Sequence, residues 1–495
     1  MYTRNKLDTI TIEKRAYING KFVQAISGKT LCKNSPIDGS LIDGIAACNV
    51  DDVNVSVSAA KNAYISGVWK SLKLDERKAI LLKLADLMEK HKEELALLDT
   101  YETGRAFQNY YHDSIPKAIE AIRYFAEGID KYYDYMIPPR GSDFGVVTRV
   151  PLGVVGLITP WNDPMVVTSW KFTPALLMGN SVVIKPAEQS SLSILKVGSL
   201  TKAAGIPDGV FNVVTGYGIE AGKALALHQD VRGIYFTGSS EVGKLIMQYA
   251  GQSNMKKVGL ECGGKSPYIV TSNCKKIKEA ASVLSANMFY NQGQICSAPS
   301  RVILDKRVSE EFVAYLKEEC EKFVPGDPFE DTNNVGCIVS KEQWKKVNAY
   351  IESGRKEGVA CYQAQNEKPH HTDACCIQPT IFTNVDISHR IAREEIFGPV
   401  VVIIQADNTK QAIQIANDSN YGLAAAVWTC DIDEAYYVSS RLEAGLVHIN
   451  SYGNDDNSAP FGGFKESGIG KDKSLFAFDE YSEWKTVWMH FLHGD

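Results

Sequence analysis

From about residue 152 the chain alternates short apolar runs with helical stretches, a rhythm that limits the possible folds sharply. Leu152-Gly-Val-Val-Gly-Leu-Ile-Thr159 reads as a buried strand, a helix follows from Met165 toward Met178, and Ser181-Val-Val-Ile-Lys185 is a second strand. A helix around 190–203, a strand at Val210–Val214, a helix around 219–228 and a strand at Gly233–Thr237 continue the series. Short apolar strands separated by helices make βαβ units and a mainly parallel sheet. Ligands bind such sheets at the carboxyl ends of the strands. Here those ends read Pro160-Trp-Asn-Asp-Pro164, Lys185-Pro-Ala-Glu188, Gly216-Tyr-Gly218 and Thr237-Gly-Ser239, rich in the Gly, Ser, Lys and Asn of a cofactor site.

A second alternating set begins near Ser266-Pro-Tyr-Ile-Val270 and runs past Val400-Val-Val-Ile-Ile404, which predicts a second α/β domain. Upstream, Leu81, Leu84, Met88 and Leu95 repeat at helical spacing and predict one amphipathic helix over 75–98, with Asp75 and Glu76 at its start. Residues 131–150 look like a strand pair joined by a Pro-Pro-Arg-Gly-Ser turn. The terminal Glu483-Trp-Lys-Thr-Val-Trp-Met489 alternates like an exposed edge strand, which invites pairing with another chain.

A chain of 495 residues supports two to four domains. Its formal charge of -6 argues against a nucleic-acid partner, and no apolar run approaches a membrane span. The N-terminus has no apolar signal segment. Eleven cysteines are scattered without C-x-x-C pairing, so the expectation is a reducing cytoplasm and no metal site.

One of those cysteines lies in a polar turn, Asn291-Gln-Gly-Gln-Ile-Cys296. A thiol reacts as a thiolate, which needs nearby dipoles or charges and some solvent access. Gly293 allows the backbone to approach a ligand closely. The plainer reading is a loop cysteine packed as a small hydrophobe.

Four further segments select between these readings: Pro160-Trp-Asn162, Leu260-Glu-Cys-Gly-Gly-Lys265, Glu395-Ile-Phe-Gly-Pro399 and Pro460-Phe-Gly-Gly-Phe-Lys465. Together with the Cys296 loop they resemble the aldehyde dehydrogenase superfamily over roughly residues 15 to 490. Phe289-Tyr-Asn-Gln-Gly-Gln-Ile-Cys296 and Asp472-Lys-Ser474 look most like its γ-glutamyl-γ-aminobutyraldehyde branch, which serves putrescine degradation. The resemblance implies an α/β fold: a Rossmann-like NAD-binding domain (1–130 and 151–262), an α/β catalytic domain (263–465) and a small β oligomerisation element (131–150 and 478–495). It also implies a homo-oligomer, dimer or tetramer.

By the same resemblance, Cys296 attacks the aldehyde to give a thiohemiacetal. The Asn162 amide and the Cys296 backbone N–H hold the oxyanion, and Lys171 joins the catalytic set. Glu261 is the general base that hydrolyses the thioester, and its presence favours a free acid over transfer to coenzyme A. The plainer alternatives are a turn residue for Asn162 and a structural salt bridge for Glu261. Cys262 stands where leucine is usual; it reads as a packing substitute, or as a resolving thiol for oxidised Cys296. Ile158, Trp161, Lys185, Glu188, Gly218, Thr237, Gly238, Ser239, Glu395 and Phe397 match the cofactor residues, with core packing the alternative for Phe397. The Glu188 carboxylate accepts from a ribose diol and repels a 2′-phosphate, which favours NAD over NADP.

For the substrate, the resemblance points to Asp163, Trp170, Tyr290, Asp455, Asp456 and Phe461. Asp163 departs from the γ-glutamyl branch, where an aromatic is usual, and the loop Asn454-Asp-Asp-Asn457 adds a second acidic patch. Uncompensated carboxylates in a narrow passage call for a cation, with Tyr290, Trp170 and Tyr452 available for cation–π contacts. The expectation is an aldehyde with a positive amino group at its far end. The alternatives are that both patches face solvent at the tunnel mouth, or that the enzyme takes aliphatic or betaine aldehydes broadly. A non-catalytic homologue would be expected to lack Cys296, Glu261 or Asn162.

Overall fold

The structure is a computed structural model that describes residues 4–367, 371–454 and 456–492; Asp455 therefore lies outside the described residues. Five parallel strands lie side by side in the order Phe211–Val213, Ser181–Pro186, Val154–Thr159, Val231–Thr237 and Lys257–Glu261. Antiparallel strands extend both edges: Ala16–Ile18 and Lys21–Val23 beyond Phe211–Val213, and Gly468–Ile469 beyond Lys257–Glu261. Val154–Thr159 and Ser181–Pro186 are buried at every position, so they read as continuous apolar runs rather than as alternation.

From Val154–Thr159 the chain steps outward twice in one direction, then returns to add Val231–Thr237 on the other side. The reversal opens a crevice at the carboxyl ends of these two central strands, where open α/β sheets bind ligands. Pro160-Trp161-Asn162 and Gly238-Ser239 leave the strands there.

The second set forms a seven-stranded sheet. Its order is Ala360–Gln363, Thr380–Thr383, Val400–Ala406, Arg301–Asp305, Pro267–Val270, Ala424–Trp428 and Leu446–Ile449, with Ala360–Gln363 alone antiparallel.

The expected helix over 75–98 is two helices, Leu74–Lys90 and Lys92–Thr103, meeting at His91. Leu81, Leu84, Met88 and Leu95 all pack into one core, so the apolar spacing runs through the break without revealing it. The second helix ends at Gly104, whose φ of 74° is the left-handed stop that sets the direction of Arg105.

Strands Tyr135–Arg140 and Asp143–Pro151 form the expected hairpin, turning at Gly141 with φ 60°. Pairing slips between Ile137 and Arg140, where Pro138 and Pro139 have no N–H to donate. The C-terminal strand Ser482–His490 pairs with Asp143–Pro151 of its own chain, from Ser482 against Pro151 to His490 against Asp143. The edge expected to seek another chain is therefore half satisfied internally, and its outer side stays open.

Candidate active site

The loop carrying Cys296 follows the helix Ile277–Phe289. Its glutamines act as staples rather than as turn formers alone. Gln292 donates through Nε2 to the Ile377 carbonyl (3.1 Å) and accepts from the Ile377 N–H (3.3 Å). Gln294 accepts from the Val339 N–H (2.9 Å) and donates to the Cys337 carbonyl (3.3 Å). Between them Gly293 has φ 67°, and a Cβ there would lie 2.1 Å from the Gly398 carbonyl oxygen. Only glycine lets the nucleophile loop seat against Glu395–Pro399.

Asn162, at the end of the first central strand, is tied to that loop. Its Nδ2 donates to the Gln294 carbonyl at 3.1 Å, and Asn291 Nδ2 donates to the Asn162 carbonyl at 3.1 Å. Glu261 ends the neighbouring strand Lys257–Glu261 and is buried. Both its carboxylate oxygens lack a hydrogen-bond partner among the described residues. Gly462 makes room for it: a Cβ on that residue would meet Glu261 Oε1 at 2.4 Å. Lys171 pairs with Asp472 at 2.6 Å, both buried, and it lies behind Glu261 rather than on the cavity wall. Lys171 bears on the site through its charge, which lowers Glu261.

Asn162, Glu261, Cys296, Thr237, Glu395 and Phe397 line one cavity of about 480 Å³. Burial, then the nearby Glu395 and Glu261 charges, push the Cys296 thiol up to about 12. Burial and the charge of Asp472 hold Glu261 well above the usual carboxylate range, against the pull of Lys171 and Lys471. No side-chain cation prepares a thiolate here. Burial raises both groups, and the Glu261 charge adds to the cost of ionising the sulfur.

On the cofactor side, Trp161 and Phe397 meet edge to face with centroids 5.2 Å apart. Glu395 accepts from the Gly264 N–H at 3.0 Å, yet burial still lifts its carboxyl to about 7. Phe397 has φ 55°, a left-handed backbone that Gln343 Nε2 holds by donating to the Phe397 carbonyl at 2.9 Å. Ser239 caps the 13-residue helix Ser240–Gln252 by accepting from the Val242 N–H. The Thr237 hydroxyl beside it is buried without a partner among the described residues. A Cβ on Gly238 would strike the Phe236 ring at 2.4 Å. A bare backbone, an orphaned hydroxyl and a helix N-terminus together fit a pyrophosphate. Lys185 pairs with Glu188 at 2.8 Å; burial pushes the Glu188 carboxyl up, but the Lys185 charge and hydrogen bond together with its backbone hydrogen bond and Lys33 leave it below its usual value. Ile158 and Lys185 flank Gly222, in the turn that begins at Gly218; Ile158, Lys185, Glu188 and Gly218 are off the wall of the catalytic cavity. Cys262 packs under the helix, where a Cβ on Gly243 would lie 2.8 Å from its sulfur. Burial first, then Glu261 and Glu395, push that thiol up to about 12, which fits the packing reading.

The substrate side corrects the expectation of uncompensated carboxylates. Asp163 lines the cavity but pairs with Arg105 at 3.3 Å and accepts from Ser114 Oγ at 3.2 Å. It precedes the helix Pro164–Leu177 yet makes no cap to it, because its carboxylate is turned toward Arg105. Asp456 is exposed and bound into a turn by the Ser458 N–H at 2.7 Å. Tyr452 is not a wall residue: it packs against Tyr268 and His448 in the catalytic-domain core, and its hydroxyl donates to the Ser297 carbonyl. The other two aromatic faces already meet the protein's own cations. Arg105 lies 4.9 Å from the Tyr290 ring centroid, and Lys473 lies 5.3 Å from Trp170 and 6.0 Å from Phe461.

A sequence model of the aldehyde dehydrogenase family matches residues 22–487. The chain belongs to the aldehyde dehydrogenase family. It is 43% identical to the NADP/NAD-dependent aldehyde dehydrogenase PuuC of Escherichia coli (strain K12), covering 99% of this chain and 98% of that protein. It is 41% identical to an aminoacetaldehyde dehydrogenase of Pseudomonas aeruginosa, over 97% of this chain and 96% of the relative. Among solved structures, the gamma-glutamyl-gamma-aminobutyraldehyde dehydrogenase of Burkholderia cenocepacia superposes with a TM-score of 0.96 at 44% identity, covering 98% of each chain. An indole-3-acetaldehyde dehydrogenase complexed with NAD+ superposes with 0.97 at 42% identity, again over 98% of each.

Several wall residues of this aldehyde dehydrogenase carried no signal in the sequence. Arg105 follows an ordinary helix end and Gln343 lies in the first turn of an amphipathic helix, while the contact of Lys473 with Trp170 is not announced by its Asp472-Lys-Ser474 motif. Each acquires its place only from the packing of distant segments. Gln294 and Gly462 were within legible motifs, but the contacts that explain them cross between sheets.

Proposed function

We propose that this aldehyde dehydrogenase uses NAD to oxidise an amino-aldehyde, such as γ-glutamyl-γ-aminobutyraldehyde, to its carboxylic acid. The observation that carries the reading is a single cavity whose wall contains Cys296, Asn162 and Glu261 together with Glu395 and Phe397. Cys296 adds to the carbonyl carbon, and the π pair moves onto oxygen, where the Asn162 amide and the Cys296 N–H stabilise it. A nicotinamide held by Glu395, Phe397 and Trp161 would supply the hydride acceptor. Glu261 then takes a proton from water, water attacks the thioester, and the carbon–sulfur bond breaks to release the acid. A carboxyl raised toward the working pH suits that duty.

The similarity to PuuC and to the gamma-glutamyl-gamma-aminobutyraldehyde dehydrogenase supports the substrate class. NAD is favoured over NADP by the resemblance, which assigns the Glu188 carboxylate, paired with Lys185 at 2.8 Å, to the adenosine ribose, where it would repel a 2′-phosphate. The reading of a betaine aldehyde dehydrogenase is weakened by Arg105 and Lys473, which face the rings that a quaternary ammonium would need. We place the enzyme in a reducing cytoplasm, in keeping with eleven free cysteines, and as a homo-oligomer joined through the three-stranded sheet.

Glu261→Gln tests the mechanism. Mixed rapidly with aldehyde and NAD, it should release about one NADH per site at 340 nm and then turn over roughly 10²–10⁴-fold more slowly than wild type. Cys296→Ala should show neither phase. A Glu261→Gln enzyme with unchanged steady-state turnover would remove that carboxylate from the hydrolytic step.

A further inference from the structure

Arg105 and Asp163 form an ion pair with one unused valence on each side. Arg105 is almost wholly buried, with its guanidinium between the Tyr110 and Tyr290 rings, 4.8 and 4.9 Å from their centroids. One terminal nitrogen donates to the Tyr290 hydroxyl at 3.0 Å, and the other faces Asp163 at 3.3 Å. Tyr290 donates onward to Asp113 at 3.1 Å, and Asp113 pairs with Lys117 at 2.7 Å nearer the solvent. Within this chain of contacts, Arg105 Nε and Asp163 Oδ1 are both buried and lack a partner among the described residues. Arg105 and Asp163 both line the catalytic cavity.

An orphaned donor on a cation beside an orphaned acceptor on an anion is costly if it stays unfilled. A lone ammonium satisfies only the acceptor and meets the guanidinium's repulsion. A lone carboxylate has the converse fault. A head group carrying both charges on adjacent atoms satisfies both, as an α-amino acid does. Asp163 also forgoes a helix cap to hold this arrangement.

We propose that Arg105 and Asp163 are specificity-determining residues that read an amino-acid zwitterion at the far end of the aldehyde, Arg105 receiving the carboxylate and Asp163 the ammonium. This deepens the amino-aldehyde reading above and rests on it.

The experiment compares kcat/KM, and its separation into kcat and KM, for γ-glutamyl-γ-aminobutyraldehyde, 3-aminopropionaldehyde and butanal. Wild type, Arg105→Gln, Arg105→Lys and the near-isosteric Asp163→Asn are used. Arg105→Gln and Asp163→Asn should each lower kcat/KM for the zwitterionic aldehyde at least tenfold more than for butanal, mainly through KM. Arg105→Lys should recover part of the loss. Asp163→Asn should penalise 3-aminopropionaldehyde as well, whereas Arg105→Gln should not. If all three aldehydes fall in parallel, the pair is a structural brace and the proposal is wrong. If Asp163→Asn changes no ratio, the proposal is likewise overturned, whether or not the Arg105 variants fold. A wild type that oxidises butanal but shows no preference for either charged aldehyde would defeat the amino-aldehyde reading itself.

Discussion

Burial governs the chemistry at the level of single residues. Cys296, Glu261 and Glu395 share one cavity, where burial raises each of them above its ordinary value. Glu395 gives this a thermodynamic signature. Its folded value near 7, against an ordinary 4.5, means that the folded state keeps a proton the unfolded chain releases. Its stabilising contribution is complete below about 4.5 and disappears as pH rises through 7, a difference of about 3 kcal/mol at most. Glu395→Gln lacks this dependence. Its stability relative to wild type, measured by denaturant unfolding, should therefore improve steadily from pH 5 to pH 8. A gap that stays constant with pH would show that Glu395 is not buried as its neighbours indicate. That Cys296 and Glu261 belong to one site was legible in the motifs Asn-Gln-Gly-Gln-Ile-Cys and Leu-Glu-Cys-Gly-Gly, and the fold brings both to the same cavity. Arg105 was not legible, since its partner Asp163 is brought to it only by the fold.

At the level of elements, the alternating rhythm after residue 152 marked four of the five parallel strands of the first sheet, because fully buried parallel strands leave long apolar runs, but not Lys257–Glu261 or the short antiparallel edge strands. The break at His91 was hidden for the complementary reason: two helices that serve one core keep a common spacing across their junction. The join between the nucleophile loop and Glu395–Pro399 depends on Gly293 having no side chain. Gly293→Ala adds a left-handed backbone cost of about 1–2 kcal/mol and drives a methyl into the Gly398 carbonyl. A shift near 1 Å in a reacting group can cost about 10²-fold in rate. The variant should accordingly lose at least tenfold in kcat while keeping its far-ultraviolet circular dichroism. A Gly293→Ala enzyme with wild-type kcat would mean that the two segments do not need their close seating.

For the whole molecule, the three-stranded sheet is the part least explained by one chain. Eight of the nine residues in Ser482–His490 are exposed, Trp484, Val487 and Trp488 among them, and the strand's outer edge is unpaired among the described residues. A second copy is the simplest cover for such a surface. Light scattering should give a mass at least twice that of the 54.5 kDa chain. Val487→Lys with Trp488→Lys should move it toward the single-chain value. Wild type that runs as a monomer would leave this sheet without a role in assembly. The sequence showed the hairpin and the terminal strand separately, but not that they bond to each other, since no local pattern records a pairing between residues 143 and 490.

The strand Lys257–Glu261 has as its outer neighbour Gly468–Ile469, and Ser467 bonds to Gly263 from 204 positions further along. Ribosomes add roughly 5–20 residues per second, so the acid-bearing strand waits on the order of 10–40 seconds for its last companion. During that interval the nascent polypeptide holds a nearly finished sheet with one bare flank. Until residues 467–469 arrive, that flank is the part of the sheet most open to pairing with another strand.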